Sequence, residues 1–556
     1  MAQIIRTCNA GLAALLALAV AAAPATAQQR NDRLGLYLSA RGAEAIGDED
    51  RAAMLYGRLL ERDPANPVIV AEAMGSAITT GRFDLARAVA KNADVRQFDL
   101  QGRLFLIADA LAREDDAAAL SVLSDDAAQA NVDFVAPFVR GWIDVASRRP
   151  ATRERGIRTV TGIGEDAPMA AFVAEQAAYM HLANKDPAAA APFIERALPL
   201  SAGRETALRI AFADGLAKAG DSTAAQALLA GDNPSLAAAR GRLEQGQSLG
   251  FAVDTPAKAF SQLLLALAID VNRGQRLDLP LALTQISRAA DGKNAQAAIV
   301  TALLLHQLDR SDEALPLLSA IPAKHLLASS ARDSEVQVLM QTNRLNRALA
   351  IAQEGVRQTP DAPGVHGRVG DVLGALDRHA EAADAYARER GGSLDDWTLL
   401  FLEGAQRNDA GQWEAAETLL RHALAASPDQ PLVLNYLGYT MLERGENLEE
   451  ATAMIARAHK LRPDNASITD SLGWAQYKMG EIDKAVETLG QAVAQESANA
   501  EIYEHYGDAL FAAGYPIEAR FAWGNARRVA DEDEGERVVR LDSKLAHGLS
   551  KANAAP

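Results

Sequence analysis

The side chains able to do chemistry are scattered along this chain, not grouped. The nine histidines are His181, His306, His325, His366, His379, His422, His459, His505 and His547, and no two stand at metal-ligand spacing. No His-Glu-x-x-His is present, the motif that sets two imidazoles one helical turn apart on zinc with a glutamate as base. No Gly-x-x-x-x-Gly-Lys-Ser/Thr loop offers backbone amides to a phosphate, and no Gly-x-Ser-x-Gly elbow raises a nucleophile. Gly367, Gly370 and Gly374 have the wrong spacing for a phosphate loop and no strand before them. Cys8 is the only cysteine, so thiol catalysis, disulfides and cysteine-held metals are excluded from everything after it. Arg140, Trp142 and Asp144 are residue types that a glycan-directed enzyme would use, yet their spacing fits one helix's surface and core equally well. His379 takes a turn-side place filled elsewhere by Phe83, Leu345, Trp413 and Ile482, which points to packing. The expectation is a non-catalytic protein with no cofactor and no metal site.

What orders the chain is a recurrence. Alanines stand at Ala314, Ala348, Ala382, Ala416, Ala451, Ala485 and Ala519, in steps of 34 or 35 residues. Glycines run in parallel at Gly370, Gly404, Gly438, Gly473 and Gly507. Between them lie Asp309, Asn343, Asp377, Gly411, Gly445, Gly480 and Gly514, the residue types that best tolerate a left-handed backbone at a helix end. Four residues after each alanine comes a knob: Leu318, Ala352, Tyr386, Leu420, Ile455, Leu489 and Trp523. An i, i+4 spacing puts alanine and knob on one helical face. Pro360, Pro428 and Pro463 stop three of the units. The pattern predicts two helices per unit, A carrying the glycine and B the alanine, with small residues where the rods must approach.

In these columns the chain resembles the tetratricopeptide repeat family. The nearest match to the family's pattern is Leu437-Gly438-x-x-Met441, then Ala451-x-x-x-Ile455, then Pro463; Val369-Gly370-x-x-Leu373 and Tyr506-Gly507-x-x-Leu510 are similar. Glu403-Gly404-x-x-Arg407 departs by placing charges at apolar positions, and Leu472-Gly473 has Gln476 where a large residue belongs. The resemblance implies an all-α, right-handed superhelical solenoid of antiparallel helix pairs, degenerate in its N-terminal half. It also implies a concave groove lined by the A helices, met by ligands at the second, fifth, ninth, twelfth and thirteenth positions of a unit. Carried onto this chain, those positions supply Asn435, Tyr439, Asp470, Trp474, Tyr477, Lys478, Glu504, Asp508 and Phe511. Aromatics beside acids suit a protein or peptide partner with basic groups. Only Asn435 and Lys478 suit the family's clamp for acidic chain ends. Trp474 fits groove and core equally.

The first 27 residues read as a leader. Arg6 is the only charge before an apolar run, and Ala25-Thr26-Ala27 ends it. That is the order of a secretory signal cleaved after Ala27, with an uncleaved anchor as the alternative. The expected setting is the periplasm, and the chain resembles periplasmic repeat proteins of Gram-negative bacteria, which scaffold envelope assembly, secretion or polysaccharide export. The net charge is -17, and about -18 without the leader, which repels nucleic acid and anionic lipid. No later apolar stretch is long enough to cross a membrane; Leu263-Leu264-Leu265 and Leu303-Leu304-Leu305 read as buried helix. Residues 33–243 are expected as worn repeats, with Gly47, Ala52, Tyr56, Gly81 and Ala86 still in phase. The turn-rich stretch from Gly231 to Gly250 suggests a boundary near Ser248. Residues 257–530 then form the regular array, 537–550 a capping helix on Val538, Leu541, Leu545 and Leu549, and 551–556 a disordered tail. The alternatives are an enzyme site in the worn half and a structural protein that associates with itself. Oligomeric state, partner and pathway are not readable from these residues.

Overall fold

The computed structural model describes residues 25–549 other than 65, 92, 124–131, 165, 166, 168, 202, 273–275 and 531–533, with only the backbone of 25–32, 45 and 49. The expected leader up to residue 24, Cys8 and the tail 551–556 lie outside the described residues. Those described form helices and turns, with no strand among them. The fold is an all-α helical repeat solenoid. It parts into two compact units, Met1–Val338 and Leu339–Pro556.

The second unit, with Asp309 and Ala314 preceding it in sequence, shows why the columns exist. Every turn-column residue has a left-handed backbone, from φ 55° at Asn343 to 86° at Gly514. All seven column alanines are 0% exposed. Each A-helix glycine faces the knob of its own B helix. A Cβ on Gly473 would lie 2.5 Å from Leu489 Cγ, one on Gly370 2.9 Å from the Tyr386 ring, and one on Gly438 2.9 Å from Ile455. On Gly507 it would strike the Trp523 ring. A glycine costs a helix about 1 kcal/mol against alanine. Here that cost admits a side chain as large as tryptophan, fully buried, between two helices.

The first unit carries the same hairpins in a disguised form. Left-handed turns recur at Gly47, Gly81, Glu114, Lys185 and Gly220. Ala52, Ala86, Ala119, Ala190 and Ala225 are all 0% exposed, continuing the alanine column. The A helices differ in being buried nearly all round. Leu100–Ala112 buries residues 102–105 and 107–111, and Ala170–Ala183 buries every residue from Phe172 to Met180. The cause is a pair of helices laid across them. Pro256–Val271 packs on Leu100–Ala112, Ala136–Val145 and Ala170–Ala183; Asp278–Ala290 packs on Pro67–Thr79 and Leu100–Ala112. The unit thus covers its own A-helix face.

This corrects the boundary expected near Ser248. The glycine-rich stretch there is a reversal within the first unit, and residues 256–290 belong to that unit and do not begin the regular array. Asp214, 1% exposed, holds the reversal in place. Its carboxylate accepts from the amides of Leu249 (3.0 Å), Phe251 (2.8 Å) and Ala252 (2.8 Å) and from the Ser248 hydroxyl (3.2 Å). Gly246 and Gly250 supply the positive φ that the reversal requires.

Asp214→Ala orphans three buried or half-buried amides, those of Leu249, Phe251 and Ala252, and should destabilise the first unit by about 3 kcal/mol, read as a shift in denaturant midpoint. In the second unit, Gly473→Ala should cost about 2 kcal/mol by overpacking. Gly490→Ala, where the nearest atom is 3.6 Å from the new Cβ, should be neutral or stabilise by up to about 1 kcal/mol. Thermal melts of the two variants test the difference.

Candidate A-helix binding face

The candidate site lies on the A helices of the second unit. Pro431–Arg444 packs on Ala466–Lys478, and that helix on Ala500–Ala512. Trp397–Asp409 joins the row through Phe401, edge-on to Tyr436 at 5.4 Å, and through Asn408, whose amide donates to the Tyr436 hydroxyl at 3.2 Å. The Tyr439 hydroxyl donates to Glu501 Oε1 at 3.1 Å, across 62 residues and two units. A bond of that reach requires the A side of the stack to curve inward.

The structure divides the residues expected to meet a ligand. Asn435 and Tyr439 are half-buried on the open part of the face. Asn435 has a buried carboxamide oxygen without a hydrogen bond. Asp470, Trp474, Tyr477, Glu504 and Asp508 are each at most 9% exposed, engaged by the protein itself. Trp474 stacks on Tyr477 (4.8 Å) and on His505 (4.0 Å), while its indole N–H donates to Glu443 at 2.6 Å. Lys478 lies 5.0 Å from the Trp474 ring centre and 3.8 Å from Glu443. Asp508 accepts from the Trp523 indole at 2.8 Å. Phe511 packs against Trp523 at 5.6 Å. Of the two readings open for Trp474 the structure has the packed one: its ring lies between Tyr477 of its own helix and His505 of the next A helix.

Three participants were passed over in the sequence. Glu443 and Glu501 stand at the thirteenth and second positions of their units, so the same register would have found them. His505 lies one residue off the register and was found only by geometry. Its Nδ1 sits 3.0 Å from Asp470. Burial alone lowers this imidazole, but the carboxylates of Asp470, Glu501 and Asp508 outweigh it and hold the pKa above its ordinary value. Glu504 shows the same contest with the other outcome: burial raises it, and Lys544 and Arg540 bring it below the usual range. Asp508 stays raised by burial, only partly offset by Lys544, Trp523 and His505.

The exposed residues of the face repeat in register. Thr398, Leu432 and Ser467, at the second position of successive units, all reach solvent. At the five groove positions of the units from 363 to 512 the charged residues are Asp371, Asp409, Glu443, Asp470, Glu501, Glu504 and Asp508, with Lys478 the one cation.

Elsewhere the residues considered for catalysis do not converge. The Trp142 indole donates to Gln176 at 2.8 Å, Asp144 is held by Arg155 at 2.6 Å, and Arg140 donates to the Leu123 carbonyl. The cavity beside Tyr179, Arg204 and Leu208 measures about 10 Å³, room for one water at most. His379 bonds Gln406 at 3.0 Å in a packing role. Among the described residues no group of three His, Cys, Asp or Glu could hold a metal ion, and no helix is long and apolar enough to cross a membrane.

The sequence profile of the tetratricopeptide repeat matches residues 334–394, 409–466 and 471–533. Over those residues the chain carries tetratricopeptide repeats. A TPR repeat-containing protein of Pseudomonas aeruginosa is 30% identical over 191 residues, which cover 34% of this chain and 31% of that relative. The chain thus spans about a third of the curated relative it matches. Among solved structures, a tetratricopeptide repeat protein of Parabacteroides merdae is 13% identical over 45% of this chain and 98% of its own, with a TM-score of 0.38. The APC/C hetero-tetramer Cut9-Hcn1 is 16% identical over 92% of this chain and 96% of its own, with a TM-score of 0.37. Tetratricopeptide repeats bind proteins or peptides, and their presence suggests a protein-interaction scaffold.

The histidine gives a pH test with a definite sign. A raised pKa in the folded state contributes stability that is complete below the ordinary value and is lost as pH rises through the folded value. The stability gap between the wild type and His505→Gln should be largest below the ordinary imidazole value of about 6.5 and should shrink as pH rises above it. Glu504 has the opposite sign and loses its contribution only in acid. Asp508 faces the histidine and is raised, so the comparison is repeated in an Asp508→Asn background.

Proposed function

We propose that this protein is a non-catalytic scaffold of the bacterial cell envelope. It binds a protein or peptide with basic groups across the A-helix face between residues 397 and 512. The observation that carries this reading is the charge of the face: of the seven charged side chains at its groove positions, only Lys478 is cationic. An approaching cation gains from the carboxylates, while the half-buried Phe401, Tyr436 and Tyr439 offer contact area at little entropic cost. The envelope setting rests on the leader pattern of Met1 to Ala27.

The test uses exposed positions, so that the stack of buried rings stays intact. Thr398→Arg, Leu432→Arg and Ser467→Arg are combined in the full chain. Wild type and variant are then probed against an array of peptides tiled from envelope proteins. Peptides that bind the wild type should be rich in Lys and Arg, and the variant should bind them at least about tenfold more weakly, a loss of about 1.4 kcal/mol. Equal binding by both proteins, or a set of acidic binders, would overturn the reading.

A further inference from the structure

One end of the A-helix face is already occupied by the chain itself. The helix Gly535–His547 follows the last full unit, and its Leu541 stands 34 residues after Gly507. It is an A helix in register, with leucine in the glycine column. Its attachment is slight. Ala500–Ala512 buries eight residues, whereas Gly535–His547 buries one, Leu541, among Leu510, Ala519, Trp523 and Ala526. Val538 is only half-buried, and Val539 is 69% exposed.

Leu545 and Leu549 add partly buried contacts to the same cluster, and the remaining hold is ionic. Arg537 lies 3.6 Å from Glu501, Arg540 3.3 Å from Glu504, and Lys544 2.8 Å from Glu504 and 2.7 Å from Asp508. These cations fall at i, i+3 and i+7, one stripe of a helix. The two sides are unequal. Glu504 and Asp508 are 5% and 6% exposed, fixed in the wall of the stack, while the Arg540 side chain is 53% exposed. Buried carboxylates left without a cation are costly. Any helix that replaces Gly535–His547 must therefore bring cations to the same places.

We propose that the acidic end of this face, Glu501, Glu504 and Asp508, is a docking site for a basic amphipathic helix of a partner protein. The partner presents cations at i, i+3 and i+7 around one leucine-sized anchor, and Gly535–His547 is the resident helix that competes with it. The proposal rests on the scaffold reading for the use of this face, and specifies the partner's chemistry and its competitor. A helix with one fully buried side chain opens more readily than the neighbouring Ala500–Ala512, which has eight buried residues.

The probe is a fluorescently labelled synthetic peptide of residues 534–549, titrated into full-length protein and read by anisotropy. Arg537→Gln, Arg540→Gln and Lys544→Gln together weaken the resident helix. This variant should bind the peptide at least about tenfold more tightly than the wild type does. The binding should weaken as salt is raised, and adding Glu504→Gln and Asp508→Asn should abolish it. Equal affinity for wild type and triple variant, or binding that survives loss of both carboxylates, would overturn the proposal. Should the variant not fold, hydrogen exchange of wild-type amides 536–547 with excess peptide decides: faster exchange supports displacement, and unchanged exchange overturns it. The Thr398/Leu432/Ser467 arginine variant should bind the peptide as its parent does, so this proposal and the broader scaffold reading fail separately.

Discussion

The architecture depends on one contact repeated along the chain: a helix surface without a side chain, facing a neighbour's large one. Gly370, Gly404, Gly438, Gly473 and Gly507 each meet the knob of their own B helix, and the knob ranges from leucine to tryptophan. The interlock is local, joining residues 16 or 17 apart. Each hairpin can therefore form before it stacks, as expected for repeats whose stability is a sum of unit and nearest-neighbour terms. Because the column alanine sits one turn before the knob and is also buried, enlarging either small residue separates two helices at once.

The first unit uses the same hairpins towards a different end. Its A helices turn to an interior, because Pro256–Val271 and Asp278–Ala290 lie over them. An A-helix face that is covered must be apolar throughout, and its polar exceptions must be partnered. Trp142 and Gln176 bond each other, Arg204 holds Glu175 at 2.9 Å, and Gln285 donates to the Thr79 carbonyl. In the second unit the A face remains polar and acidic between 397 and 512. One unit spends its A face on its own stability, and the other leaves much of it available for contact.

The regular half was legible from sequence because its constraints admit few residue types. A left-handed turn takes glycine, asparagine or aspartate, and a buried contact point takes glycine or alanine. The first half was less legible for two physical reasons. Glu114 and Lys185 occupy left-handed turns that give no compositional sign, and helices buried all round lose the polar face that marks helical periodicity. The reversal held by Asp214 read as a joint because a turn-rich stretch looks the same whether the chain leaves a domain or re-enters it. The binding face was half legible. Register placed Trp474, Tyr477, Glu504 and Asp508 on the correct side of their helices, but register is blind to a neighbour that already covers them. His505, on which Asp470 and Trp474 converge, had no motif to reveal it.

The bond between Tyr439 and Glu501 gives the stack a mechanical character. A superhelix of paired rods behaves as a spring, and each added unit ordinarily makes it more compliant. Here a crosspiece ties units two apart, and Glu501 also reaches Arg537 on the terminal helix. Stretching this end of the spring must break that crosspiece, so elongation and release of the terminal helix draw on the same glutamate.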